Sequence, residues 1–395
     1  MIEFDNVNVV FGKQPQRALP MIEQGLTRSE IQEKTKLVVG VNRANLTVEE
    51  GEICVLMGLS GSGKSSLVRC VNGLNKVTSG SVRIKDGDEY IDFATASEPV
   101  QRDLRTRKIS MVFQNFALFP WLTVEENVAF GLEMQGLSKA ERLKKTRRQL
   151  ELVGLSQWAN RRPDELSGGM RQRVGLARAL ATESDILLMD EPFSALDPLI
   201  REQLQNELLE MQRELNKTIV FVSHDLDEAL KLGSKIAIMK DGEIVQQGRP
   251  EQIVLDPATD YVRNFVASVN PLSVLRVRSV MQSLDAVASD DQGRKLISKA
   301  HDIWLENPGT ANASVIYQRD DSFHPQIWSS DRDITTLGKL PTIVSNDTTL
   351  REAVEIRYVT GHCVLVEDKN HIVGFVADRQ IYHSLLGKHL GEESG

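Results

Sequence analysis

The stretch Gly58-Leu59-Ser60-Gly61-Ser62-Gly63-Lys64-Ser65 decides the fold of this chain. It fits the pattern G-x-x-x-x-G-K-[ST], in which glycines allow successive backbone N–H groups to point at phosphate oxygens. The apolar run 53–57 before it predicts a buried parallel strand, and the run 66–71 after it predicts a helix whose positive dipole end adds to the site. Strand, loop and helix together predict a nucleoside triphosphate site, with Lys64 on the β- and γ-phosphates and Ser65 on Mg²⁺.

A second apolar run, 186–189, ends in the two carboxylates Asp190 and Glu191. Such a run on its own is also typical of a strand that leads into a surface turn. After a phosphate loop, however, the pattern favours a catalytic role. We then expect Asp190 to hold Mg²⁺ through water and Glu191 to polarise a water molecule aimed at the γ-phosphate.

Between these two elements lies Leu166-Ser167-Gly168-Gly169-Met170-Arg171-Gln172-Arg173, followed by a helical pattern. Ser167 is predicted to be the N-cap of this helix, and Gly168 and Gly169 leave bare N–H groups that could bind an anion. One nucleotide has no need of two such cradles in one chain. The second cradle therefore predicts a homodimer, in which this loop covers the γ-phosphate held by another copy of the chain.

These motifs resemble those of the nucleotide-binding subunits of ABC transporters over about residues 1–265. The loop 166–173 is similar to their signature loop, and Phe193-Ser194-Ala195-Leu196-Asp197 is similar to their D-loop. Gln114 lies where their Q-loop glutamine does, and His224 lies where their switch histidine does. His224 is also the first histidine of the chain, since the next is His301.

The resemblance implies an α/β fold, a P-loop ABC-type nucleotide-binding domain that binds ATP and Mg²⁺. Implied for catalysis are Glu191, His224 and Gln114, and implied for the metal are Ser65, Gln114 and Asp190. The nucleotide would contact Phe11, the loop 58–65, Ser66, Ser167, Gly168, Gly169 and Asp197. Phe11 would stack on the adenine; the alternative is an ordinary core phenylalanine.

The same resemblance divides the chain into an ATP-binding domain, 1–268, and a C-terminal regulatory region, 269–395. The first contains an insertion, 13–40, predicted to form two short helices, and a helical subdomain at about 115–165. The second resembles a CBS motif at about 340–388, with the order strand, helix, strand, strand, helix. Residues 275–330 match such a motif poorly, so a complete CBS pair is not predicted.

Composition limits the classes of protein that fit. The formal net charge of −8 argues against nucleic acid as a partner. No apolar run approaches the length of a membrane helix, and the N-terminus lacks the pattern of a signal peptide. These features predict a soluble cytoplasmic protein, and the resemblance to transporter subunits implies a peripheral position at the cytoplasmic face of the cell inner membrane. The cysteines Cys54, Cys70 and Cys363 have no metal-ligand spacing.

The insertion, the loop 57–63 and the run 111–118 resemble those of importers of glycine betaine, proline betaine and choline. That subfamily implies transmembrane permease subunits and a substrate-binding protein as partners, and uptake of a quaternary amine. The alternatives are an importer ATPase for another small solute such as an amino acid, an exporter subunit, or a non-transport ABC ATPase of DNA repair or translation.

Overall fold

The computed structural model describes residues 1–194, 196–267, 269–299, 302–309, 314–318 and 321–385. Two compact units form, Met1–Arg249 and Pro250–Gly395. Ala195 of the predicted D-loop and residues 386–388 of the predicted CBS-like motif lie outside the described residues. Within the described residues, the helices are all too short or too polar to cross a membrane.

The strands of the first unit are β1 Ile2–Phe11, β2 Val38–Val48, β3 Ile53–Met57, β4 Ser79–Asp86, β5 Glu89–Asp92, β6 Ile109–Val112, β7 Ile186–Asp190, β8 Thr218–Val222, β9 Lys235–Lys240 and β10 Glu243–Gly248. They form an antiparallel sheet in the order β2-β1-β4-β5 and a core sheet in the order β10-β9-β3-β8-β7-β6. In the core sheet β3, β6, β7, β8 and β9 are parallel. Because β3, β7 and β8 are buried along their whole length, they are the near-continuous apolar runs expected of parallel strands covered on both faces.

The helices of this unit are α1 Leu19–Glu23, α2 Arg28–Thr35, α3 Lys64–Val71, α4 Glu98–Arg107, α5 Val124–Met134, α6 Lys139–Leu152, α7 Gly168–Ala181, α8 Pro198–Leu215 and α9 Leu226–Leu232. Capping boxes begin α2 at Thr27, with Glu30, and α5 at Thr123, with Glu126. The predicted insertion contains the 3₁₀ turn Pro15–Ala18 followed by α1 and α2. The predicted helical subdomain contains α5 and α6.

The parallel sheet places the carboxyl ends of β3, β6, β7 and β8 along one edge. The loop after β3 is the predicted phosphate loop, and β6 is followed by Gln114. Glu191 follows β7, and His224 follows β8. Ligands of open α/β sheets bind at this edge, so the fold collects the predicted site residues from distant parts of the sequence.

The second unit begins with the helices α10 Pro250–Leu255, α11 Asp260–Val266, α12 Pro271–Val274 and α13 Val277–Val280. Its strands are β11 Gln282–Ser283, β12 Lys295–Ser298, β13 Ile303–Glu306, β14 Val315–Gln318, β15 Asp321–Phe323, β16 Gln326–Ile327, β17 Thr342–Ser345, β18 Val364–Asp368 and β19 His371–Val376, and its remaining helices are α14 Leu350–Thr360 and α15 Asp378–Leu385. The predicted CBS-like order is present as β17, α14, β18, β19 and α15. Before it, β12 to β15 form antiparallel hairpins, so the described part of 282–327 does not repeat that order.

The boundary between the units differs from the predicted one. It lies at Arg249–Pro250, whereas the sequence predicts residue 268. The reason is packing: Leu255 of α10 packs against the buried cluster that contains Leu275 and Val277, and Glu251 forms an ion pair with Arg278 at 3.3 Å. Helices α10 and α11 therefore group with the C-terminal unit.

Candidate nucleotide site

The phosphate loop is held by the hairpin turn of β9 and β10. Gly242 donates its N–H to the carbonyl of Ser62 at 2.9 Å and accepts one from Asn42 at 2.8 Å. Asp241 and Gly242 both have positive φ, 49° and 89°, as a type I′ turn requires. The β9–β10 turn thus holds one side of the phosphate loop, and the opposite side is available to a ligand.

Lys64 begins α3 and is buried. Its ammonium group donates to the carbonyl oxygens of Gly58 at 2.7 Å and Leu59 at 3.2 Å. Burial lowers the pKa of Lys64, and the carboxylates of Glu191 and Asp190 oppose that shift. The side chain therefore lies folded over the loop, within the electrostatic reach of Glu191, predicted for catalysis, and of Asp190, predicted for Mg²⁺.

Ser65 and Asp190 meet at the base of the site. The Ser65 hydroxyl donates to Oδ1 of Asp190 at 2.7 Å, and Asp190 is fully buried. The other oxygen of Asp190 pairs with Arg69 at 2.9 Å. Sequence reasoning missed Arg69, although its place four residues after Ser65 on one helix puts both side chains on the same face.

Glu191 lies at the centre of the three residues predicted for catalysis. Its Oε2 accepts a hydrogen bond from Gln114 at 3.1 Å and lies 3.5 Å from Nδ1 of His224. The His224 side chain is 62% exposed, whereas that of Glu191 is 18% exposed. The structure therefore brings all three predicted catalytic side chains together, and Gln114 contacts Glu191 directly.

The backbone at Glu191 is strained and held from two sides. Its φ is 49°, a left-handed conformation that costs a residue with a side chain on the order of 1–2 kcal/mol. Its N–H donates to the carbonyl of Val222 at 3.1 Å, and its carbonyl accepts from Gln172 of α7 at 3.4 Å. Sequence reasoning missed Gln172, whose role depends on the packing of α7 against β7. Strain of this kind is typical of functional sites.

A buried carboxylate supports the loop that carries His224. Glu228 of α9 accepts hydrogen bonds from Ser223 at 2.5 Å and from Gln205 of α8 at 3.0 Å. Burial raises the pKa of Glu228, which these two hydrogen bonds partly offset. Glu228 thus joins the start of α9 to α8, the helix that Asp197 caps by accepting the N–H of Ile200 at 3.1 Å.

Phe11 and Ser167 lie on different parts of the site. Phe11 ends β1 with 40% of its surface exposed, as a side chain available for stacking requires. Ser167 caps α7 by accepting the N–H of Met170 at 3.3 Å. Among the described residues, Ser167, Gly168 and Gly169 make no hydrogen bond to residues 58–66.

Comparison with known proteins identifies the family to which a chain with this site geometry is similar. The ABC transporter family model matches residues 41–194. The glycine betaine/proline betaine transport system ATP-binding protein of Escherichia coli (strain K12) is 53% identical over 279 residues, which cover 71% of this chain and 69% of that protein. This chain belongs to the ATP-hydrolysing subunits of ABC transporters.

Two further relatives extend the match. The glycine betaine transport ATP-binding protein of Bacillus subtilis (strain 168) is 43% identical over 379 residues, which cover 96% of this chain and 88% of that protein. A dimeric ATP-binding cassette in a post-hydrolysis state, bound to ADP and Pi, is 32% identical with a TM-score of 0.55, covering 63% of this chain and 99% of that one. The predicted family and the predicted α/β ABC fold are thereby confirmed, and ATP is the nucleotide of this ABC subunit.

Proposed function

We propose that the chain is the ATPase subunit of an importer that takes up a quaternary amine, choline or glycine betaine. The observation that carries the proposal is the Bacillus subtilis glycine betaine protein, because the similarity extends over 96% of this chain and includes its C-terminal unit. The Escherichia coli relative is likewise named for glycine betaine and proline betaine. An importer of another small solute, such as an amino acid, is the alternative.

Mg²⁺ would bind with the ATP. Ser65 and Asp190 offer a hydroxyl and a buried carboxylate 2.7 Å apart, and these are the hard oxygen ligands that Mg²⁺ takes together with phosphate oxygens and water. When bound, Mg²⁺ neutralises charge on the β- and γ-phosphates.

Hydrolysis is assigned to the residues around Glu191. Its carboxylate orients and polarises the attacking water, while Gln114 and His224 fix the position of that carboxylate. Lys64 exchanges the carbonyl oxygens of its own loop for the β- and γ-phosphates. Phe11 stacks on the adenine.

The active form would be a homodimer. The N-terminus of α7, capped by Ser167 and followed by Gly168 and Gly169, offers backbone N–H groups to an anion. In the dimer it covers the γ-phosphate bound by the other copy, and Asp197 lies at the shared interface. Two ATP molecules then hold the subunits together until hydrolysis removes the charge.

Substitution of Ser167 tests the shared site. Ser167→Arg should abolish hydrolysis while the monomer keeps its affinity for ATP, and mixing Ser167→Arg with Lys64→Ala chains should restore one complete site per mixed dimer. From an equal mixture, recovered activity of about a quarter of the wild-type value is expected, because about half of the dimers are mixed and each of these has one complete site of two. Loss of ATP binding by the Ser167→Arg monomer would instead place the loop in its own site.

Closure and opening of the dimer would drive transmembrane permease subunits at the cytoplasmic face of the inner membrane, and a binding protein would deliver the solute. The C-terminal unit, with its CBS-like β17–α15 segment, is proposed as a regulatory region.

Uptake of radiolabelled choline and glycine betaine in cells that lack this subunit tests the substrate. Uptake should fall to background and return with the wild-type chain but not with Glu191→Gln. Unchanged uptake of both, with loss of an amino acid instead, would refute the assignment.

A further inference from the structure

The insertion 13–40 forms a small core of its own. Ala18, Ile22 and Ile31 are buried against Leu37 and the β-strand residues Val10 and Val39. The capping box of Thr27 and Glu30 fixes the residue at which α2 begins. Hydrophobic packing and capping together make the insertion a firm support for the side chain of Arg28, the first residue of α2.

Both ends of the insertion meet the nucleotide site. The segment leaves β1 directly after Phe11 and returns to β2 through Gly40, where a Cβ atom would lie only 2.5 Å from the Phe11 ring. The carbonyl oxygen of Gly40 is so close to Gly63 of the phosphate loop that a Cβ atom on Gly63 would overlap it. The insertion is therefore packed against both the proposed adenine contact and the phosphate loop.

Arg28 adds a hydrogen bond between the insertion and the phosphate loop. Its Nη1 donates to the carbonyl oxygen of Gly61 at 3.1 Å. The other side of the same peptide group, the N–H of Ser62, donates to the carbonyl of Leu59 at 3.1 Å, and that oxygen also accepts from Lys64. The Gly61–Ser62 peptide is thus held at both its oxygen and its N–H, and Arg28 adds a positive charge beside a loop that receives phosphates.

The contact between Arg28 and the phosphate loop is expected to change the affinity for the nucleotide more than the rate of hydrolysis. A glycine-rich loop has much conformational freedom to lose when it closes on phosphates, and a loop that is already ordered loses less. Arg28 orders the loop equally in the ground state and in the transition state. Such uniform stabilisation changes KM and leaves kcat nearly constant.

We propose that Arg28 is a positioning residue of the nucleotide site, through which the insertion orders the phosphate loop and raises the affinity for the nucleoside triphosphate. This inference rests on nucleotide binding by the loop 58–65, and it does not depend on which solute is transported. Arg28 contacts the loop backbone and acts through it.

The test compares Arg28→Ala with Arg28→Lys and with Arg17→Ala in the full chain. Arg17 belongs to the same insertion and is exposed, so its removal makes the same change in charge. Equilibrium titration with a fluorescent ATP analogue should show the dissociation constant of Arg28→Ala raised about threefold to tenfold, as expected for loss of a partly exposed hydrogen bond from a charged donor. The KM for ATP should rise in parallel with kcat within twofold. Arg28→Lys should recover part of the affinity, and Arg17→Ala should match the wild type.

The outcomes separate this inference from the proposed ATPase function. Lys64→Ala, measured alongside, should lose most of its affinity; if it binds as the wild type does, the phosphate loop is not the nucleotide site. If Lys64→Ala fails to bind while Arg28→Ala changes the dissociation constant less than twofold, the role of Arg28 alone is refuted. A fall in kcat without a change in affinity, or an equal loss in Arg17→Ala, also overturns it. Thermal unfolding of each variant identifies misfolding, in which case Arg28→Lys provides the comparison.

Discussion

The strands β7 and β18 follow one sequence pattern, an apolar run that ends in two carboxylates, yet their surroundings differ. β7 lies between two parallel strands, and after Asp190 the chain enters a loop that holds Glu191 beside Gln114 and His224. β18 is paired with the antiparallel β19 on one side, and Asp368 leads at once into a turn whose residues Lys369 and Asn370 have φ of 50° and 67°.

The difference shows what such a pattern can predict. In both places it predicts a strand, and in both places the strand forms. Chemistry arises only where neighbouring parallel strands end at the same edge and direct other polar groups at the carboxylates. Asp190 is accordingly buried against Ser65 and Arg69, while Asp368 is exposed beside a hairpin turn.

The largest expected effect tests this contrast directly. Glu191→Gln should bind ATP but lower kcat at least ~100-fold, because the residue that polarises water is lost, and ATP should then trap a dimer. Steady-state ATPase assays and gel filtration with ATP provide the measurements. Glu367→Gln, at the end of β18, is the matched control and should turn over normally. Near-normal kcat for Glu191→Gln, or an equal loss in both variants, would contradict the catalytic role of Glu191 and the contrast between β7 and β18.

His224 and His371 allow a second comparison between the two units, with a smaller expected effect on kcat. His224→Ala should lower kcat about tenfold or more, since Glu191 loses a neighbour at 3.5 Å that aligns it. His371 begins β19 and its Nδ1 lies 2.9 Å from the carbonyl of Lys369, so its contact is local to a turn. His371→Ala should retain wild-type kcat and KM in the same assay. Comparable losses for the two histidines would contradict the assignment of His224.

Local patterns account for what the sequence predicts well. The strand and the helix on either side of the phosphate loop depend on neighbouring residues, as does the strand that ends at Asp190, and all three form as predicted. The grouping of Gln114, Glu191 and His224 was available only through the resemblance, because they are far apart in sequence. Their roles in catalysis, and those of Phe11 and the signature loop, stay predictions.

What the sequence could not predict depends on tertiary packing. Gln172 and Arg28 act on backbone carbonyls, and no side-chain pattern marks a residue for that role. Asp225 and Glu228 have the spacing of a capping box, yet Glu228 turns inward to Ser223 and Gln205. The boundary was predicted too late because the apolar faces of α10 and α11 do not reveal which unit they pack against.

Stability against pH tests the buried carboxylate. Burial raises the pKa of Glu228 above its ordinary value of 4.5, so its contribution to stability is fully present below that pH and is lost as the pH rises through the folded-state pKa. Glu228→Gln does not titrate, and its amide can serve both Ser223 and Gln205. Its Tm relative to the wild type should therefore rise on going from pH 4.5 to pH 8, by an amount on the order of a few degrees.

Glu30 supplies a control of opposite sign. Hydrogen bonds from Thr27 lower the pKa of the exposed Glu30 carboxyl, so its contribution is present above pH 4.5 and is lost as the pH falls. The Tm of Glu30→Gln relative to the wild type should therefore decrease as the pH rises from about 3 to about 6, the range in which the wild-type carboxyl ionises. If the Tm relative to the wild type changes with pH in the same direction for both variants, the pH dependence does not come from these two carboxylates.

The smallest expected effect concerns the C-terminal unit as a whole. Every residue assigned to ATP binding or hydrolysis lies within Met1–Arg249, so removal of residues 270–395 should leave kcat and the KM for ATP within about twofold. A cut after Val269 keeps α10 and α11 but exposes Leu255, which packs with the deleted cluster, and Leu255→Ser in the truncated chain should restore solubility if that surface causes aggregation. Transport by cells that carry the truncated chain should instead lose its dependence on ionic strength or on a small ligand. A soluble truncation with kcat lowered tenfold or more would mean that the second unit contributes to the nucleotide site, and the contrast between a catalytic and a regulatory unit would fail.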